Sequence, residues 1–210
     1  MNSDLFLDHA CKELVSAHAV HTILLYGSRA NGSARPDSDY DIAAFAPVEK
    51  TIRDARVVEG MFLDTFIYPE SELLNPIEEH LKLRGSKIVL QRETDVENFL
   101  HQLEHLFRIG PTALPADEIE ARKVWALKMA ERMKYGDVEA NYRRVWLLTA
   151  LLEDYFHIRG LWCQGPKKSL IWLKKFDAAV HDAYCAALEP GARHETIHAL
   201  VKLVIPKQTT

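Results

Sequence analysis

Leu24 to Phe45 reads LLYGSRANGSARPDSDYDIAAF. An apolar run ends at Gly27-Ser28, and after Pro36 and Asp37-Ser38 a second apolar run begins that carries Asp39 and Asp41. Alternate residues of a strand share a face, so these two carboxylates project side by side. Two like charges a few ångströms apart repel unless a cation lies between them. Such pairs hold Mg²⁺ against phosphates, and the preceding Gly-Ser turn offers backbone N–H groups to an anion. The chemistry suggested is phosphoryl or nucleotidyl transfer.

Outward from this stretch, Leu5 to Ala19 repeats apolar residues at helical spacing, with Ser3 or Asp4 as the N-cap. Thr22 to Tyr26 is short and β-branched at its start, and Gly27 stops it, so it predicts a buried strand. Ser28 to Gly32 then opens a short helix, and Asp39 to Phe45 forms the next strand. Val57 to Tyr68 predicts a third strand with one acid, Asp64, in its apolar second half, and Lys87 to Gln91 a last one.

From Asp95 the apolar period changes from two to 3.6. Val96, Phe99, Leu100, Leu103 and Phe107 make an amphipathic helix that Gly110-Pro111 ends. Further helices are expected over 117–135, 137–159, 169–188 and 195–204, with Tyr142 to Ile158 as the central one. The chain therefore reads as α+β: a mixed sheet flanked by helices in residues 1–94, then an α-helical bundle in residues 95–210, with the seam near 92–112.

At 210 residues and 48% hydrophobic the chain has material for two modest cores. No apolar run reaches the roughly 18 residues of a membrane span, and the first residues lack a signal-peptide pattern, so a cytoplasmic protein without membrane contact is expected. Cys11, Cys163 and Cys185 are scattered, which suggests neither a disulfide framework nor a zinc site. Ten histidines include the close pair His18 and His21, which has no acidic partners at ligand spacing.

The net charge of −4 argues against a protein that grips long nucleic acid. The balance is uneven: Arg122 to Asp177 holds 12 Lys and Arg against 6 Asp and Glu. Lys167 and Lys168 follow Gly165-Pro166, and Lys168 is the one taken to face a polyphosphate.

Gly27-Ser28, Gly32 and Ser38-Asp39-x-Asp41, with eleven positions from Ser28 to Asp39, together resemble the nucleotidyltransferase motif of the DNA polymerase β superfamily. The chain looks in particular like the small bacterial two-domain enzymes of the kanamycin and lincosamide nucleotidyltransferase type. The likeness is sharp over residues 22–45, extends to about residue 68, and is only architectural beyond. It implies a minimal nucleotidyltransferase domain followed by a helical one. It also implies an enzyme in which Asp39, Asp41 and a third acid bind two Mg²⁺ ions and a nucleoside triphosphate such as ATP. Asp64 is preferred as the third acid, with Glu59 as the fallback. Gly27, Ser28 and Ser38 would hold the nucleotide with Lys168. Arg29 and Arg35 are left to surface salt bridging.

The implied reaction moves a nucleoside monophosphate, AMP foremost, to a hydroxyl of a small molecule and releases pyrophosphate. Aminoglycoside-like acceptors, and hence antibiotic resistance, follow from the resemblance alone. Glu139, Glu153 and Asp154 are candidates to meet a cationic acceptor or to serve as base. Two other readings stay open: AMP transfer to a partner protein such as a toxin, and a regulatory module that holds nucleotide without turnover. Related enzymes sometimes build their site between subunits, so a homodimer is also allowed.

Overall fold

The computed structural model describes residues 4–92 and 95–205 and divides into two compact units, 1–109 and 110–210. In the first unit, helix α1 (Leu5–His18) leads into strand β1 (Thr22–Tyr26), the five-residue helix α2 (Gly27–Asn31) and strand β2 (Tyr40–Ala46). Strands β3 (Ile52–Val58) and β4 (Met61–Pro69) follow, then two 3₁₀ turns (Glu70–Leu73 and Glu78–Leu83), strand β5 (Lys87–Leu90) and helix α3 (Asp95–Ile109).

The five strands form one mixed sheet in the order β3-β4-β2-β1-β5. β2 lies at its centre, parallel to β4 and antiparallel to β1. The central position explains why β2 is apolar on both faces after Asp41: Ile42, Ala43, Ala44, Phe45 and Ala46 are all fully buried. One face packs Ile23, Leu25, Ile42, Ala44 and Ile67 against Ala10 and Leu14 of α1. The other carries Phe45 and Tyr68, and Phe99 of α3 meets Phe45 edge-on at 5.3 Å.

Asp4 caps α1 by accepting from the Leu7 N–H at 3.2 Å, and its carboxylate also accepts from the Tyr40 hydroxyl at 2.8 Å, which ties the helix to the start of β2. The alternative cap, Ser3, lies outside the described residues. So does residue 94, where the change of period suggested a domain boundary. The period change marks the start of α3, which belongs with the first unit because Phe99 and Leu103 complete its core.

The expected single strand 57–68 is a hairpin. Glu59 and Gly60 both take positive φ, 51° and 80°, and reverse the chain so that β3 pairs with β4 from Ile52↔Ile67 to Val58↔Met61. β3 is an edge strand with mostly exposed or half-exposed residues, and its sequence, IRDARVV, gives no clean alternation. β1 has the expected bounds, and those of β2 and β5 move by a residue: β2 begins at Tyr40, one position after Asp39, and β5 ends at Leu90.

The second unit is helical: α4 (Ala116–Arg132), α5 (Val138–Ile158), α6 (Gly165–Phe176), α7 (Ala178–Leu188) and α8 (His194–Val204). Leu147, Leu148, Leu151, Leu152, Tyr155 and Phe156 bury α5 among the others, as its apolar stripe predicts, whereas Tyr142 and Val145 remain exposed. The helix expected over 169–188 is two helices. Asp177 breaks it with non-helical backbone (φ −147°, ψ 73°) and caps α7 by accepting from the Val180 N–H. Gly165-Pro166 is the first turn of α6, where proline lacks only an N–H that the helix would leave unbonded. No described helix is long and apolar enough to cross a membrane.

Phe99→Ala should destabilise the first unit by about 3–5 kcal/mol, the usual cost of emptying an aromatic core site. Limited proteolysis should then cut residues 4–109 well before 110–205. Equal protection of the two units in the variant would show that α3 does not belong with the sheet.

Candidate active site

The site is built where β1 ends and β2 begins. In the antiparallel β1–β2 ladder Tyr26 pairs with Asp41, and in the parallel β2–β4 ladder Asp41 pairs with Asp64. Directly paired residues of adjacent strands project to the same side, about 5 Å apart. Asp41 and Asp64 thus stand on the face that also carries Phe45 and Tyr68. Asp39 precedes the strand and is exposed, close enough for its charge to act on Asp41.

The electrostatics follow from that crowding. Burial pushes the Asp41 carboxyl above its usual range, and the charges of Asp39 and then Asp64 push it the same way, while Lys82 pulls it back. The Tyr26 hydroxyl is raised by burial and by Asp41 and Asp64. Asp39 and Asp64 both make ionisation harder for Asp41, and the three side chains offer only oxygen donors. That donor chemistry fits hard divalent cations such as Mg²⁺.

Gly27 is fitted to this arrangement in two ways. Its φ of +71° is in the left-handed region, and a Cβ placed there would lie 2.1 Å from Asp41 Oδ2. No side chain larger than hydrogen fits unless the carboxylate moves. The backbone therefore approaches the acid directly at the point where α2 opens.

The loop carrying Ser38 and Asp39 is held by Arg29. Its guanidinium donates from Nη2 to the Ser38 carbonyl at 2.6 Å and from Nε to the Ser38 and Asp39 carbonyls at 3.1 and 3.2 Å, and it lies 3.8 Å over the Tyr40 ring. Arg29 is thus a clamp on the acid loop and not a surface salt bridge, because a planar fork can serve two carbonyls and a ring at once. The Ser38 hydroxyl accepts from the Arg35 N–H at 2.8 Å, which closes the turn after Pro36. Ser28 lies in α2, and its carbonyl accepts from the Gly32 cap.

Two residues absent from the sequence-level site stand among the acids. Arg53 of β3 grips Asp64 with a two-bond fork, Nε–Oδ1 and Nη2–Oδ2 both at 2.9 Å. With Arg53 60% exposed this pair contributes little stability, but it fixes the direction of the Asp64 carboxylate. Lys82, on the second 3₁₀ turn, has its Nζ 3.5 Å from the Phe66 ring centroid. Burial lowers its ammonium pKa against the opposing pull of Glu79, Asp64 and Asp41. Neither was legible in sequence: Arg53 depends on the hairpin register, and Lys82 sits in a segment without strand or helix period.

The remaining sequence candidates belong to other elements. Glu59, the fallback acid, occupies the hairpin turn. Lys168 lies on α6 in the second unit. Glu139 pairs with Arg143 on its own helix, and Asp154 is buried against Arg122 at 2.6 Å. Burial pushes the Asp154 carboxyl up while Arg122 draws it down. Glu153 borders an apolar cavity of about 260 Å³ within the helical unit, lined by Leu148, Leu152, Leu170 and Tyr184 among others. His21 meets Glu70 at 3.2 Å and Thr22, as an ordinary side chain would.

Residues 9–107 match the family model described as polymerase beta, nucleotidyltransferase. Among solved structures, a nucleotidyltransferase-like protein from Exiguobacterium sibiricum is similar at 12% identity and a TM-score of 0.45, over 94% of this chain and 73% of that one. Comparison with curated proteins finds none that matches.

Two variants test the electrostatics and the close approach. The folded Asp41 holds its proton to higher pH than the unfolded chain, whose carboxyl has a value of 3.8. The stability it contributes is therefore present below about that pH and is lost as pH rises through the higher folded value. Asp41→Asn removes this penalty, so without divalent cations it should melt above wild type at pH 7, with the gap closing as pH falls toward 4. Thermal scans at both pH values check this, and a gap that does not change with pH would refute it. Gly27→Ala should cost about 1–2 kcal/mol from the left-handed backbone alone. It should also weaken Mg²⁺ binding through the displaced Asp41, as titration calorimetry would show.

Proposed function

Because residues 9–107 are a nucleotidyltransferase domain of the DNA polymerase β superfamily, we propose that the protein transfers a nucleoside monophosphate from a triphosphate, ATP foremost, to a hydroxyl of a small molecule. The observation that carries this reading is the pairing of Asp41 with Asp64 on adjacent strands, beside Asp39 and under the glycine that opens α2. An acceptor oxygen would form the new bond to the α-phosphorus, and pyrophosphate would leave with the broken α–β bridge.

Asp39, Asp41 and Asp64 are the residues that would hold two Mg²⁺ ions. When bound, such ions neutralise the triphosphate and stabilise the attacking and leaving oxygens. The protein's own contribution is positioning. Arg29 holds the Ser38–Asp39 loop, Arg53 orients Asp64, and Gly27 lets the backbone come up against Asp41 where α2 opens. Gly27, Ser28 and Ser38 are the nucleotide-binding residues of this proposal, and Lys168 joins them only as a candidate from the helical unit.

For the acceptor we favour a cationic, polyhydroxylated molecule of the aminoglycoside kind, a choice supported by the acidic balance of the chain outside residues 122–177. Glu139 and Asp154 already have arginine partners, so Glu153 is the acid of the three kept as a candidate to meet such a ligand. The proposal includes neither long nucleic acid nor membrane as a partner, and it places the enzyme in the cytoplasm. A homodimer is compatible with it.

Incubating the pure protein with Mg²⁺, each ribonucleoside triphosphate and a panel of aminoglycosides and lincosamides should release pyrophosphate and add one nucleoside monophosphate to an acceptor. Mass spectrometry of acceptor and protein reads both products. Asp39→Asn and Asp41→Asn should each lower the rate by more than the about 10–100-fold that loss of an outer-shell partner costs at a metal site. Transfer that survives either substitution would refute the roles given to these acids. A mass gain on a co-purifying protein would move the acceptor to a protein hydroxyl. Tight nucleotide binding without any product would leave a regulatory module.

A further inference from the structure

The helical unit contains a second group of potential metal ligands whose chemistry differs from that of the sheet. His194 is the first residue of α8 and His198 lies one turn on, so both imidazoles project from the same helix face. Glu131, in the last turn of α4, completes the group. One ligand atom from each of the three lies within 4.8 Å of the other two.

Three observations point to a cation there. The His194 Nε2 is buried and makes no hydrogen bond, and its nearest acidic atom is Glu131 Oε2 at 3.6 Å, too long for one. A buried polar atom without a hydrogen-bond partner calls for an explanation, and a cation held between it and Glu131 is one. Second, 3.6 Å is close to the separation of about 3.4 Å that two donors adopt across a tetrahedral zinc with bonds of about 2.1 Å. Third, the Glu131 carboxylate is divided: Oε1 takes the Lys134 ammonium, while Oε2 faces His194. One oxygen is thus engaged by a cation and the other is directed at the imidazole.

We propose that Glu131, His194 and His198 form a binding site for a zinc-class divalent cation that ties α4 to α8. Two imidazoles and one carboxylate suit zinc or cobalt(II) and not the harder Mg²⁺. Three protein ligands leave the fourth position of a tetrahedron to water or a small anion. Glu131 is 53% exposed, so an ion has access from solvent.

The test uses the full chain, free of any affinity tag, carrying Asp39→Asn and Asp41→Asn so that the carboxylates of the sheet do not compete. Titration with cobalt(II) should give visible absorption of low-symmetry cobalt, saturating at one ion per chain and displaced by zinc. Zinc should also raise the unfolding temperature. Glu131→Gln, at an exposed position that folding does not require, should weaken cobalt binding about tenfold or more, and His194→Gln or His198→Gln should abolish the absorption with the circular dichroism unchanged. A spectrum that stays that of aqueous cobalt, or absorption that survives these three substitutions, would overturn the proposal.

Discussion

The first unit is organised around one electrostatic constraint: Asp41 and Asp64 are direct partners across two central strands, with Asp39 just ahead of them. Like charges so placed resist ionisation, and the raised carboxyl of Asp41 expresses that resistance. The structure answers with nearby positive groups of different kinds. Arg53 forks onto Asp64 from the edge strand, and Lys82 approaches from a 3₁₀ turn with its ammonium partly desolvated. Neither neutralises the trio, and the residual negative potential is what the divalent cations of the proposed reaction would answer.

The surrounding fold can be understood as support for that cluster. β2 must be central, because only a strand with neighbours on both sides can place Asp41 beside Tyr26 and Gly27 on one flank and Asp64 on the other. A central strand must be apolar on both faces, and IAAFA after Asp41 satisfies this with small residues against α1 and Phe45 toward α3. Arg29 then fixes the loop before the strand through carbonyls and a ring, so Asp39 is held by backbone contacts and not by its own side chain. The helical unit has an independent core around α5, and its buried acid, Asp154, is matched by Arg122.

Legibility varied with the range of the interactions involved. β1 was readable to the residue, since a short run of Thr, Ile, Leu, Leu and Tyr ended by a glycine allows little else. α1, α3, α5 and α8 were readable from their period. The hairpin was not, because Glu59 in a left-handed conformation is an uncommon use of a residue with a Cβ, and an exposed edge strand has no core face to impose alternation. The break between α6 and α7 was also hidden: an aspartate in an apolar helical pattern looks like an ordinary polar position until its side chain is seen capping the next helix.

The amino-acid order alone determined the class of fold, the position of the acidic strand and the family resemblance, because these rest on contacts within about twenty residues. Which acid on another strand stands opposite Asp41, that Arg53 and Lys82 join it, and that Glu131 meets two histidines over sixty positions away were decided only by tertiary structure. Strand register and helix packing are fixed by the burial of whole faces. A local pattern can show that a face exists but not which partner covers it.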